Sequence, residues 1–541
     1  MTKMKKLATY IIALILLGAV GSCENPLKDF DLQISTEVIK NYATLRIVDP
    51  NGNTINGVAV ALVSGDTEDI YNMNGFRDFR PTENLVTFGL DPKRMPTAAA
   101  PVRFRVSISA SGYTTQIVPV SITEASAGIE TIILRRPTQL PDGVSQVRQN
   151  IALGANGATL EAITISLAAA EGGGQVSLDI PAGTQFLDAT DNVIVGRNLE
   201  VMLGSINGRN PQAQSFLPGG SLRSDNVVLA GGSTSAGAFS PGAIAQINMV
   251  INGIQVRRFS QALSLGLPVR SDYVSPLSGR TISAAESFEV FTNSSSDRVW
   301  RFEQNTSITG DASSGYRVTF PITHLTFFLA GEFAGACNVQ SVINFTGDWM
   351  ANGSTYPVTV EAVSGGNVIF SGQYSISANM ASISIANLPV SGVSIVVRNS
   401  AGNILAEGPL AACGQTTQIA LPNPGNPTNP TATLQLYVRC PDKVDPITLL
   451  PTFQLYYRET GTRDFQFLGT VTNGFLRTTL LRTDGTRYDF RAIWNNRVKV
   501  VGGHTIQEDN TATVGIQPGD IIGTKAGATN LAILTEECGK L

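Results

Sequence analysis

From residue 40 onward the chain is written in short stretches where apolar and polar residues alternate, the period of a strand with one buried face. Ala43–Val48, Val102–Ile108, Thr159–Leu167, Gln175–Ile180, Tyr356–Ala362 and Ala381–Ala386 all read this way. Asn51-Gly52 and Asn56-Gly57 fall between short apolar runs, which is hairpin-turn chemistry. No helix-period segment of useful length follows the leader: residues 168–171 are Ala-Ala-Ala-Glu, and three glycines come next. The pattern predicts an all-β chain of tandem β-sandwich modules.

Breaks in the pattern divide it. A first sandwich is expected over 40–136 and a larger β-rich module over 144–335, with 136–143 linker-like between them. Another sandwich is expected over 337–420 and a last one over 431–541. Between these two, residues 421–430 (LPNPGNPTNP) can build neither helix nor central strand, because each proline fixes φ and removes a donor, so they read as an extended spacer. Within the second module, Phe216–Asn226 and Gly231–Gly242 are dense in Gly and Ser and are expected to be long surface loops.

The first residues change the picture. Lys3, Lys5 and Lys6 precede an apolar run from Leu7 to Leu17, and small residues lead to Cys23, the layout of a signal peptide. The run is shorter than the roughly 20 residues a membrane span needs. Val20-Gly21-Ser22-Cys23 resembles the lipobox of bacterial lipoproteins. That resemblance implies removal of residues 1–22 and acylation (palmitate) of Cys23, which would then anchor the chain, with 23–39 as a stalk. The acidic stretch within the stalk resembles the surface-export signal of Bacteroidota lipoproteins.

Two further resemblances concern the modules. Residues 43–63 (ATLRIVDPNGNTINGVAVALV) and 104–120 (FRVSISASGYTTQIVPV), through Asp49, Gly52, Gly57, Gly112 and Tyr113, resemble the carboxypeptidase-regulatory-like, or transthyretin-like, β-sandwich family. Val176–Thr184, Trp300 and Thr319–Phe328 resemble parts of ZU5-like modules.

Charge is sparse, at 15% Asp, Glu, Lys and Arg with a net of −4, so nucleic acid is not expected as a partner. Beyond Cys23 there remain Cys337, Cys413, Cys440 and Cys538, an even number in a chain expected to be exported, which favours disulfides. The preferred pairing joins Cys337 to Cys413 and Cys440 to Cys538, one bridge on each side of the spacer, but the other connectivities stay open.

Candidate chemistry is thin. The only histidines, His324 and His504, lie far apart, and no zinc-ligand spacing, nucleophile elbow or phosphate loop occurs, so neither metal nor cofactor is expected. The pairs Asp29/Asp31, Asp188/Asp191 and Glu508/Asp509 have no feature that places them across a cleft. Asp49–Asn53 and Asp188–Asn192 cluster oxygen ligands, yet they read first as turns. Trp494, Tyr456 and Tyr457 are the candidate ligand platform, since an aromatic face can stack on a sugar. Trp300, Trp349 and Tyr437 are weaker candidates of the same kind, and core positions are the plainer reading for the tryptophans. His324-Leu325-Thr326 resembles the step at which some ZU5- and GAIN-type domains cut their own chain, the hydroxyl attacking the preceding carbonyl with histidine as base.

The function expected is that of a non-enzymatic, lipid-anchored interaction protein of the outer membrane or cell surface. It would act in adhesion or dock on another outer-membrane protein, making contact through residues 205–243 or the last module. The alternative is a glycan-binding lipoprotein beside a polysaccharide uptake system.

Overall fold

In the strand Val102–Ser109, Val102, Phe104, Val106 and Ile108 are buried, while the residues between them face outward. The same alternation, strand after strand, makes the protein all-β, in tandem sandwich-like modules. The computed structural model describes residues 32–35, 39–125, 128–137, 139–293, 299–426, 428–439, 447–494 and 497–513. The leader, Cys23, Cys440 and Cys538 lie outside these residues. The chain divides into two compact units, and the division falls within the Pro/Asn segment 421–430.

The larger unit covers residues 39–426. Its first sandwich packs Tyr42–Val48, Leu85–Leu90 and Ile129–Ile133 against a three-stranded sheet of Ala59–Gly65, Val102–Ser109 and Gln116–Ile122. Between them, Phe79, Phe88 and Phe104 stack in series with centroids 5.1 and 5.5 Å apart. Asp49 closes the first turn by accepting from the backbone N–H groups of Asn51 and Asn53. Asp188 does the same for Thr190 and Asn192. Both carboxylates are occupied by their own loops, as the turn reading requires.

Residues 144–335 supply a thirteen-stranded sheet around the eighteen-residue strand Thr234–Ile251, which pairs with Asn198–Ile206 and Phe327–Gly335. Here the sequence expectation is corrected. Arg223–Val228 is a strand, and residues 237–242 of the Gly/Ser-rich stretch are buried in the long strand, while residues 231–233 form an exposed turn. The glycines serve close approach. A Cβ on Gly237 would sit 2.3 Å from the Ala334 carbonyl oxygen, and one on Gly242 would sit 2.3 Å from the Phe288 ring.

Residues 341–420 fold as two sheets, with Ser341–Thr346 between Ser382–Ile385 and Thr416–Ala420 in the smaller one. The larger contains Ile404–Pro409, Val393–Arg398, Tyr356–Ser364 and Asn367–Ile376. It continues through Ile129–Ile133 into the first sandwich, giving one eight-stranded sheet. The junction is short, with only Gly372 opposite Glu130 and Gln373 opposite Ile129. Cys337 and Cys413 form a disulfide with Cα atoms 5.6 Å apart, across a sequence separation of 76.

The smaller unit is a sandwich of its own. Gln466–Val471, Phe453–Glu459, Arg487–Trp494 and Arg497–Thr505 make one sheet. Leu32–Ser35, Ile447–Leu450, Ala432–Arg439, Phe475–Thr478 and Asp509–Thr513 make the other. Leu434, Leu436, Leu455, Leu468 and Phe490 fill the space between.

Candidate functional site

Three β modules meet within residues 39–426, and what joins them is polar. Arg223 reaches from the second module to the Glu130 carboxylate of the first. Its guanidinium also donates to the Ala386 carbonyl of the third (3.1 Å) and lies 4.7 Å from the centre of the Phe370 ring. One side chain thus ties all three, and the strand Arg223–Val228 aims it there. Two residues on, Asp225 accepts from Arg105 at 2.7 Å. Thr123 and Ser384 share a hydrogen bond of 2.6 Å, and Ser384 donates to Gln340 at 3.0 Å. Gln340 in turn donates to Ser121. Gly128 lies against Tyr374 so closely that a Cβ would be 2.4 Å from the ring.

These contacts surround a cavity of about 840 Å³ whose wall draws on all three modules. Several wall groups keep unused hydrogen-bonding capacity. Gln116 is 6% exposed and gives its amide N–H to the Ile133 carbonyl, while its amide oxygen bonds no group among the described residues. Tyr374 is 4% exposed, and its hydroxyl bonds no described residue. The Arg223 Nε is buried and without a hydrogen bond among the described residues. Arg103, exposed at the wall, has no carboxylate partner among the described residues. Burial raises the Tyr374 hydroxyl above the usual tyrosine range, so it remains a neutral donor.

A second buried polar cluster pins the turn at Gly365-Gly366 to the second module. Glu171 accepts from the Gly208 N–H (2.5 Å) and pairs with Arg270 at 3.1 Å, both side chains under a tenth exposed. Arg270 reaches the Gly365 carbonyl (3.4 Å), and Arg209 pairs with Asp272 at 2.8 Å. Burial pushes the Glu171 carboxyl up to about 7, with the Gly208 N–H and the Arg209 charge pulling it back.

The sequence candidates fall elsewhere. Tyr456 and Tyr457 are neighbours on the strand Phe453–Glu459 and so face opposite sides of its sheet. Tyr456 is buried against Phe467, beneath the Arg491 guanidinium. Tyr457 and Trp494 are half-buried and pack on the sandwich interior. The three therefore do not make one platform. Trp300 packs on Phe239, and Trp349 donates to the Leu421 carbonyl at 2.9 Å, so both are core residues. At His324-Leu325-Thr326, Leu325 is part of the core and the Thr326 hydroxyl donates to the Asn293 carbonyl. His324 turns its Nδ1 toward Glu303 at 3.9 Å. Base and hydroxyl have separate partners, which is not the geometry of a cutting site. Among the described residues no group of three or more His, Cys, Asp or Glu is placed to hold a metal.

No family model matches the chain, and no curated protein matches it. Solved structures do match, faintly. The Bacillus anthracis TIE protein aligns at 7% identity and a TM-score of 0.13, over 85% of this chain and 58% of that one. A leucine-rich repeat protein of Bacteroides thetaiotaomicron aligns at 12% and 0.12, over 35% of this chain and 27% of the other. The major pilin subunit BcpA of Bacillus cereus aligns at 6% and 0.12, over 88% and 99%. At such scores these likenesses carry no argument.

The cavity was not visible in the sequence, because Gln116, Arg223 and Tyr374 belong to three modules and share no spacing. The one available signal was Arg223-Ser-Asp225, a cation and an anion two apart and thus on one face of a strand.

Proposed function

We propose that this chain is a non-enzymatic binding protein, anchored by a lipid on Cys23 to the outer membrane and displayed at the cell surface. The lipobox-like Val20–Cys23 and the short apolar leader support the anchor and the export. The observation that carries the binding role is the seam of residues 39–426, where Arg223, Arg105 and Gln340 clasp three modules around a cavity of about 840 Å³. A binding site placed where modules meet, in a pre-formed frame, is the usual arrangement for recognition without chemistry. Its partner is a molecule outside the membrane, a surface protein or a glycan.

The test is protease treatment of intact cells followed by immunoblot, with metabolic palmitate labelling of wild type and Cys23→Ala. Degradation on whole cells with label lost in Cys23→Ala is expected. Protection until lysis would overturn the surface assignment, and label retained in Cys23→Ala would overturn the anchor.

A further inference from the structure

We propose that the cavity at the three-module junction binds a short, hydroxyl-rich glycan, on the order of two to three sugar units by its volume. This rests on the reading of the chain as a surface binding protein and names the ligand class of that site.

Buried polar groups in folded proteins are nearly always bonded, so the exceptions need an explanation. Here one such atom, the Arg223 Nε, lies at the cavity wall, and the Gln116 amide oxygen and the Tyr374 hydroxyl on the same wall bond no described residue. The Gln116 amide oxygen accepts, the Arg223 Nε donates and the Tyr374 hydroxyl can do both. Each belongs to a side chain already fixed by other contacts: Gln116 by Ile133, Arg223 by Glu130 and Ala386, Tyr374 by the Gly128 backbone. A ligand finds these groups oriented beforehand, which lowers the cost of binding.

The chemistry of the wall selects among ligands. Two of its cations, Arg223 and Arg105, are neutralised by Glu130 and Asp225, so a highly charged ligand would have to break an ion pair. Only Arg103 is left to meet a carboxylate, which admits a neutral sugar or one bearing a single uronate. A peptide fits less well. The edge strand Gln116–Ile122 carries Pro119 at its centre, so strand addition loses a donor there. Two of the wall's aromatic rings already have close neighbours, Phe370 in the Arg223 guanidinium and Tyr374 in Gly128.

The full-length protein in detergent would be titrated calorimetrically with a panel of neutral and uronate-bearing di- and trisaccharides, and with short peptides as the contrasting arm. Tyr374→Phe removes only the unbonded hydroxyl. Ser64→Trp fills the wall from an exposed position. At least one saccharide is expected to bind, with affinity falling about fivefold or more in Tyr374→Phe and about tenfold or more in Ser64→Trp. Arg103→Ala weakens uronate-bearing members selectively. No saccharide binding, binding of peptides alone, or saccharide binding unchanged in both variants would overturn the assignment. Protease shaving tests location without reference to ligand, so the two readings fail separately.

Discussion

Arg223 donates to the Glu130 carboxylate at the two-residue junction where the sheet of the first module continues into that of the third. The cation comes from the second module, so a single ion pair closes a three-way joint. Its Arg223 side chain is 14% exposed, where losing one partner costs more than the pair is worth. Arg223→Ala is expected to cost about 2–4 kcal/mol in urea denaturation. Glu130→Gln, which keeps an acceptor, is expected to cost less, and the double variant should show coupling of about 1 kcal/mol or more. Additive losses would separate the two residues.

Glycines in the long strand Thr234–Ile251 act by being small. Gly237→Ala drives a methyl group against the Ala334 backbone and should destabilise by about 1–3 kcal/mol, read as a lowered thermal midpoint. An unchanged midpoint would return residues 234–242 to the loop reading.

Cys337 and Cys413 should appear as one linked peptide pair in a non-reduced digest. Replacing both with Ser should lower stability by about 2–4 kcal/mol. Two free thiols in the native protein would contradict the bridge.

Glu171 gives a dependence on pH with a definite sign. Its carboxyl is raised from 4.5 to about 7, so the folded protein holds the proton more tightly than the unfolded chain. The stabilisation is complete below about pH 4.5 and is lost as the pH rises through 7. The stability of wild type minus that of Glu171→Gln should therefore fall by about 2–3 kcal/mol between pH 5 and 8. A difference that rises over that range would show that the pairing with Arg270 governs this carboxyl instead.

The Thr326 hydroxyl is engaged by Asn293, and His324 faces Glu303. The chain is expected to run uncut past this step on a denaturing gel, in wild type and in Thr326→Ala alike. A wild-type fragment beginning at Thr326 would reverse this.

Alternation and turn chemistry made the strands legible: Val102–Ser109 and its Asn-Gly-bounded neighbours needed nothing else. Residues 234–242 misled, although Gly231 and Gly232 do form a turn, because glycine serves both a turn needing positive φ and a strand whose neighbour comes too close for a Cβ. Sequence alone does not distinguish the two. The aromatic platform failed for a reason already present in the pattern, since adjacent strand residues such as Tyr456 and Tyr457 cannot share a face. The junction was illegible because its parts are far apart in sequence and meet only when three modules dock.

The short pairing of Ile129–Ile133 with Asn367–Ile376 also orders events in time. A chain that emerges from its N-terminus presents the first sandwich early, with Ile129 and Ile132 on an edge that has no neighbour. The strand that covers this edge follows only after the whole second module has been made. Until then the edge is open to any extended chain nearby, and slow, long-range closure of this kind is where aggregation competes with folding. A newly made molecule would therefore need to be kept apart from its siblings for as long as residues 134–366 take to arrive.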